Sequence, residues 1–184
     1  MAGVSMPGIS FSIKDAVRIL SATPDVLEAL LGNLNETWTN ANEGPDTWSA
    51  FDVVGHLIHG EKTDWISRTK IILEFGTGKT FPKFDRFAQF EESRGKTMCD
   101  LLDEFREARR ENLEFLTELN PGNEILDKKG VHPAFGEVTL RQLLATWTIH
   151  DFVHLAQINR VLAKQYKSEI GPWVEYISLM KDEK

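Results

Sequence analysis

Two histidines lie four residues apart in a long apolar segment, LLATWTIHDFVHLAQINRVLA, which covers residues 143–163. In an α-helix, side chains at positions i and i+4 share one face, with about 6 Å between their Cβ atoms. His150 and His154 could therefore ligate one metal ion from consecutive turns. Because two ligands rarely suffice for a stable site, the spacing predicts a third ligand elsewhere in the chain.

The third ligand should be a histidine or a carboxylate, because Cys99 is the only cysteine and cannot build a thiolate cluster. The segment VVGHLIHGE contains two more histidines. On a helical projection His56 lies at the edge of the inward-facing stripe, whereas His59 lies far around the helix. His56 is therefore the better third ligand, with Gly60 leaving space beside it. His59 and His132 are expected at the surface or in loops.

Other interpretations of these histidines remain open. An HxxxH pair arises by chance fairly often, and a buried histidine is commonly just hydrogen-bonded in a core. Burying three imidazoles without partners would cost several kcal/mol, however, and this cost favours a metal site. The segment HDFVH also resembles the HExxH peptidase motif with a shorter acid, but no accompanying sheet pattern supports a peptidase.

Two aspartates are candidate catalytic residues beside such a site. Asp151 lies on the inward stripe of the last helix, where it either transfers protons or accepts a hydrogen bond from a ligand imidazole or a neighbouring helix. Asp64 lies on the inward stripe of the helix that contains His56, and it is either an acid–base group or a solvated residue. Gln157, one turn after His154, could orient a ligand or be an ordinary helix-edge amide.

Four amphipathic helices would position these residues. A capping residue followed three positions later by Asp or Gln predicts helix starts at Ser49, Thr97 and Thr139. Thr23 before Pro24 predicts a further start, because proline is favoured at the first helical position. The helix that follows Ser49 is expected to continue unbroken to Gly76.

The fold class that follows is all-α, a four-helix bundle with short extra helices near residues 13–20 and 173–180. Alternating strand patterns are nearly absent. The phenylalanine-rich connector GTGKTFPKFDRFAQFEESRGK is long for a loop and should pack on the bundle as a crossover. We expect a single domain over residues 1–184, with a bundle core of about 23–166 and a C-terminal extension of 167–184.

The composition argues against several classes of partner. The chain has 28 acidic and 21 basic residues, a net charge of −7, and no block of Lys or Arg that could neutralise a phosphate backbone. No basic start precedes an apolar run at the N-terminus, and no stretch approaches the roughly 20 uncharged residues that span a bilayer. The lone cysteine excludes an internal disulfide. We expect a cytoplasmic protein that binds neither nucleic acid nor membranes.

With these residues assembled, the sequence resembles the DinB-like superfamily of metal-binding four-helix-bundle proteins. TWSAFDVVGHL resembles the family's tryptophan-to-histidine entry into the second helix, and HPAFGEVTLRQLLATWTIHDFVHLAQINRVLA resembles its Gly-Val-Thr-Leu approach and HDxxHxxQI helix. The resemblance covers about residues 23–173. It implies an up-down-down-up bundle in which His56, His150 and His154 bind a divalent metal.

The resemblance also implies a choice of activities, because such proteins include thiol-dependent S-transferases and isomerases as well as metal-dependent hydrolases. Three histidines leave at least one coordination position open, as catalytic metal sites do. We therefore expect a metal-dependent enzyme acting on a small molecule, either a thiol S-transferase using a low-molecular-weight thiol or a hydrolase. The alternative is a non-enzymatic metal-binding or stress-related protein whose metal is structural or sensing.

The ligand set leaves the metal open. Imidazoles favour zinc or nickel and are compatible with iron, copper or manganese. Because histidines must be neutral to bind a metal, affinity should fall below about pH 6.5. Amphipathic helices in such bundles often dimerise, so a homodimer is a further expectation.

Overall fold

The computed structural model describes residues 8–180. The α-helices, in chain order, are α1 (Ile13–Leu31), α2 (Glu36–Thr39), α3 (Ala50–Thr63), α4 (Trp65–Phe75), α5 (Gln89–Glu92), α6 (Met98–Leu119), α7 (Asn123–Leu126) and α8 (Leu140–Lys164). A hairpin of β1 (Lys129–His132) and β2 (Gly136–Thr139) precedes α8. The bundle consists of α1, α3 with α4, α6 and α8. No helix within residues 8–180 is long and apolar enough to cross a membrane.

The contacts between the long helices define an up-down-down-up bundle. The carbonyl of Leu20 in α1 accepts a hydrogen bond from Arg109 in α6. Asp25, five residues later, pairs with Arg106, which comes earlier in α6, so these two helices are antiparallel. By the same comparison, α8 is antiparallel to α3 and parallel to α1, while α6 is parallel to α3. The topology that the resemblance implied is confirmed.

The three predicted capping boxes form at the starts of α3, α6 and α8. In each, the capping hydroxyl accepts a hydrogen bond from the backbone N–H three residues on, whose side chain in turn accepts from the backbone N–H of the capping residue. The capping residues are Ser49, Thr97 and Thr139. These interactions are local, which is why the sequence pattern predicts them.

The predicted helix start at Thr23 and Pro24 is wrong, because α1 continues through both residues. Pro24 has no backbone N–H, and so the carbonyl of Leu20 loses its helical donor. Arg109 replaces that donor, with its Nη1 atom 2.8 Å from the carbonyl oxygen. The Thr23 hydroxyl donates to Asp151 at 2.6 Å instead of capping a helix. The expected short N-terminal helix is therefore the first part of α1.

The helix after Ser49 is also not continuous as predicted. Asp64, with φ −108° and ψ −74°, separates α3 from α4. Neither Gly nor Pro stands at the break, so the pattern of residue types does not reveal it. The expected helix near residues 173–180 consists of two 3₁₀ turns, Gly171–Tyr176 and Ser178–Met180.

The hairpin was not expected, and it packs against the end of α4. Its strands pair antiparallel from Lys129 and Thr139 to His132 and Gly136. Gly130 allows the close approach, because a Cβ atom there would lie 2.7 Å from both Ile72 and Phe81.

The connector between α4 and α6 packs on the bundle only in part. Phe81 is 3% exposed, and α5 contacts α3, but Phe87 and Phe90 stay exposed. The described part of the predicted C-terminal extension follows α8.

Candidate metal centre

Three imidazoles from two helices converge on one point. His56 extends from α3, while His150 and His154 extend from successive turns of α8. The Nε2 atom of His150 lies 3.2 Å from that of His56 and 3.1 Å from that of His154. Nitrogens bonded to one ion at about 2.0–2.1 Å are themselves about 3.0–3.4 Å apart, so these separations suit a shared divalent ion.

The position of the pair on α8 follows from its apolar stripe. The helical projection of that stripe holds in the structure, since its members are all buried: Leu140, Leu144, Trp147, Asp151, His154, Ile158 and Val161. His150 lies at the edge of the stripe and is half-buried, while His56 and His154 are buried. The bundle thus places all three rings where it meets a cavity.

Burial keeps the imidazoles neutral, which is the form that ligates metals. Desolvation and the nearby histidines lower the pKa of His56 to about 4 and that of His150 to about 3. Desolvation also lowers the pKa of His154, although Gln157 partly opposes the shift. Protons therefore compete with a metal at a lower pH than the expected value of about 6.5, which assumed an exposed histidine.

The surroundings of the Nδ1 atoms, on the outer side of the cluster, bear on which protonation state the Nε2 atoms at its centre adopt. His154 Nδ1 lies 2.8 Å from Gln157 Oε1, a contact that suits an Nδ1–H donor and leaves the Nε2 lone pair directed at the cluster. The Nδ1 atoms of His56 and His150 are buried without a partner among the described residues. Since His150 Nε2 can donate to one neighbour at most, protons alone leave buried lone pairs unmatched, and a cation would satisfy them.

The histidines line an open cavity of about 720 Å³, within the usual range of about 300–1,000 Å³ for small-molecule sites. Aromatic side chains make much of its wall: Trp48, Trp65, Phe81, Phe84, His132 and Phe135. The ring of Trp65 lies 5.1 Å from that of His150, measured between centroids. The cavity therefore leads from solvent to the histidine cluster along an aromatic surface.

Asp64 lines this cavity, as expected for a residue near His56. It is 8% exposed and forms an ion pair with Arg68. Burial raises the pKa of Asp64 to about 6, with Arg68 partly opposing the shift. A carboxyl group with such a pKa can exchange protons near neutral pH.

Asp151 does not line the cavity. Its carboxylate is fully buried and accepts hydrogen bonds from Arg109, at 2.6 and 2.9 Å, and from Thr23 at 2.6 Å. The hydrogen bonds thus come from neighbouring helices rather than from a ligand imidazole. Of the two candidate catalytic aspartates, only Asp64 lines the cavity.

A buried charge network behind the histidines was missed by the sequence analysis. Arg109 donates to Glu61 at 3.0 Å as well as to Asp151, and Trp147 Nε1 donates to Glu61 at 2.9 Å. Asn112 donates to the other Glu61 oxygen at 2.9 Å. The available signal was Arg109 itself, which falls on the otherwise apolar stripe of α6.

The expectation that His59 is a surface residue is wrong. His59 is buried, and its Nδ1 atom lies 3.0 and 3.1 Å from the carboxylate oxygens of Glu92 in α5. The short helix α5 covers this side of α3, and its presence in the connector was not predicted. His132, expected at the surface or in a loop, lies in β1, lines the cavity and stacks on Phe135.

By its fold and its three-histidine cluster, this chain is a four-helix-bundle protein with a candidate metal centre. A family model of the DinB superfamily matches residues 19–158, and the chain belongs to this superfamily. No curated protein sequence matches the chain.

Solved structures that are similar to this chain include YfiT and TT2238. YfiT from Bacillus subtilis, described as a probable metal-dependent hydrolase with an unusual four-helix bundle topology, has a TM-score of 0.72 and 19% identity, covering 89% of this chain and 94% of its own. TT2238, described as a four-helix bundle protein, has a TM-score of 0.49 and 23% identity, covering 80% of this chain and 98% of its own. The likeness to YfiT shows a shared fold.

Proposed function

We propose that this protein is a metal-dependent enzyme that holds a divalent ion on His56, His150 and His154 and acts on a small molecule. The observation that carries the proposal is the convergence of three neutral imidazoles at the wall of an open cavity. A purely structural ion would be closed off by a fourth protein ligand. Zinc or nickel is the favoured metal, because neutral imidazoles suit both.

A divalent ion at this site would act as a Lewis acid and lower the pKa of a coordinated water or thiol toward about 7. Asp64 would serve as the acid–base group, because it lines the cavity and its pKa of about 6 leaves it mostly ionised at pH 7. The aromatic walls would exclude bulk water from the apolar part of a substrate. The same arrangement supports hydrolysis and thiol transfer.

Elemental analysis of the purified protein tests the ligand assignment. We expect about one divalent ion per chain in the wild type and loss of stoichiometric metal in His150→Ala. His132→Ala is the matched control, because His132 lines the same cavity but lies outside the cluster. Full metal content in His150→Ala would show that the assignment is wrong.

Two assays separate the candidate reactions. Conjugation of a chromogenic electrophile with glutathione, cysteine and coenzyme A tests the S-transferase, and release of nitrophenol from nitrophenyl esters tests the hydrolase. The description of YfiT as a probable metal-dependent hydrolase favours hydrolysis. In either assay the rate should fall on chelation and recover when the metal is restored. If none of the thiols gives a conjugation rate above background, the S-transferase is ruled out.

A further inference from the structure

Arg68 is a buried cation in the wall of the same cavity. It lies one turn after Asp64 and is 8% exposed. Its Nε atom forms the ion pair with Asp64, and its guanidinium carbon lies 5.4 Å from the centroid of the Phe81 ring. One edge and one face of the guanidinium are therefore held in place.

The other edge of the guanidinium is free. Neither Nη1 nor Nη2 of Arg68 has a hydrogen-bond partner among the described residues. Arg109 and Arg160 differ from Arg68, because their Nη atoms donate hydrogen bonds to carboxylates of the protein. A guanidinium that is oriented but has a free Nη1–Nη2 fork matches the two oxygens of a carboxylate.

We propose that the Nη1–Nη2 edge of Arg68 binds a carboxylate group of the substrate, which makes the substrate a small organic acid with an apolar body. Trp65 lines the same cavity three residues before Arg68, and its ring lies 5.1 Å from that of His150. The apolar body would therefore extend along the indole toward the histidine cluster. The inference rests on the proposed function for taking this cavity as the substrate site. Binding through Arg68 itself requires no metal.

The near-balance of charges in the cavity lining favours a ligand of low charge. Asp64 already neutralises Arg68, and Arg86, exposed at the cavity wall, is a cation without an ion-pair partner among the described residues. Asp46 and the ion pair of Glu43 with Arg160 also line the cavity, so the lining carries no large net charge. A phosphate dianion would leave a net negative charge close to the buried Asp64.

Binding of benzoate and of its uncharged analogue benzamide to the chelator-treated full chain tests the proposal. Tryptophan fluorescence and saturation-transfer NMR can report binding, since Trp48 and Trp65 line the cavity. We expect benzoate to bind at least tenfold more tightly than benzamide, and Arg68→Gln to abolish this difference. Arg68→Lys should lose part of it, because lysine keeps the charge but not the fork.

Arg86→Gln is the matched control, because it removes a cation from the same cavity without touching the fork. We expect it to change benzoate affinity less than threefold. The proposal is overturned if Arg86→Gln removes benzoate binding while Arg68→Gln does not. Tighter Arg68-dependent binding of phenyl phosphate than of benzoate would overturn the assignment to a carboxylate.

A second variant is needed because Arg68→Gln leaves Asp64 buried without its cation and could lose benzoate binding through misfolding alone. The pair Asp64→Asn with Arg68→Gln removes both charges, and its fold can be checked by circular dichroism. If this folded double variant binds benzoate as tightly as the wild type, Arg68 is not the anchor. The metal content of the protein as purified is measured separately. If the purified protein holds no metal while the chelator-treated chain shows Arg68-dependent binding, the proposed function is refuted and this inference stands.

Discussion

Replacing Arg109 with leucine should destabilise the bundle strongly. Arg109 is 1% exposed and donates to Asp151, to Glu61 and to the carbonyl of Leu20. Leucine fills part of the same space but donates nothing. Two carboxylates and one carbonyl would then be buried without their cation and donor.

The expected loss follows from these contacts. Removing one partner of a buried ion pair costs about 3–5 kcal/mol, because the other charge remains buried. The unsatisfied carbonyl adds about 1–3 kcal/mol, and the buried leucine offsets part of the sum. We expect a net decrease of about 3–6 kcal/mol in the free energy of unfolding, against a usual total of about 5–15 kcal/mol.

Urea unfolding of the chelator-treated protein, followed by circular dichroism, measures this loss. Arg110→Leu is the matched control: Arg110 is the next residue, it also pairs with two carboxylates, Glu107 and Glu114, but its side chain is 51% exposed. Solvent already screens its ion pairs, so its replacement should have little effect. Similar losses in the two variants would contradict the assigned role of the buried network.

The pH dependence of Arg109→Leu gives a second check. Carboxylates buried without a cation have a pKa above that of the unfolded chain, so the folded variant binds more protons and its loss of stability relative to the wild type shrinks as the pH falls from 7 toward 4. Adding Glu61→Gln and Asp151→Asn should restore part of the stability at pH 7. A loss that stays constant with pH and is not rescued would refute the electrostatic explanation.

Two further predictions follow. The metal-free protein should lose stability as the pH falls below about 6.5, by about 1.4 kcal/mol per pH unit for each histidine. The reason is that the folded-state pKa is about 4 for His56 and about 3 for His150, so the unfolded chain binds protons that the folded protein does not. A free energy of unfolding that stays constant over this pH range in urea titrations would contradict this. Gly130→Ala should cost about 1–3 kcal/mol through overpacking, measured by thermal unfolding, whereas Gly122→Ala, with nothing within 4 Å of the added Cβ, should be near neutral.

Features set by nearby residues could be predicted from the sequence. The capping boxes at Ser49, Thr97 and Thr139 depend on contacts three residues apart, and all three form. The pair His150 and His154 shares a face because of helical periodicity alone. Because His56 also lies at the edge of the inward stripe of its helix, the sequence alone predicts that the three histidines come together.

Features that depend on distant partners could not be predicted in this way. Pro24 is tolerated inside α1 because Arg109, 85 positions later, supplies the missing donor. His59 is buried because Glu92, in a short helix of the connector, pairs with it. In both cases the residue type indicates a boundary or a surface position, and a tertiary contact overrides that local preference.

The break at Asp64 illustrates a third case. Residue types across α3 and α4 suit one continuous helix, and they do not reveal the non-helical backbone angles of Asp64. The break nevertheless begins the segment that places Asp64, Trp65 and Arg68 in the cavity wall. The histidine cluster could therefore be predicted from the sequence, but most of the cavity wall that would select a substrate could not.

The buried charge network also sets the register of the four helices. Two helices that meet through apolar side chains can shift by one turn and still bury similar areas. Buried charged side chains would lose their partners in such a shift. Moving α8 by one turn, about 5.4 Å, would bring Trp147 or Leu155 to the place of Asp151 beside the Arg109 guanidinium. Such a slip would leave the arginine without its partner and would also separate His150 and His154 from His56. One alignment of the helices thus satisfies the charges and the three imidazoles together.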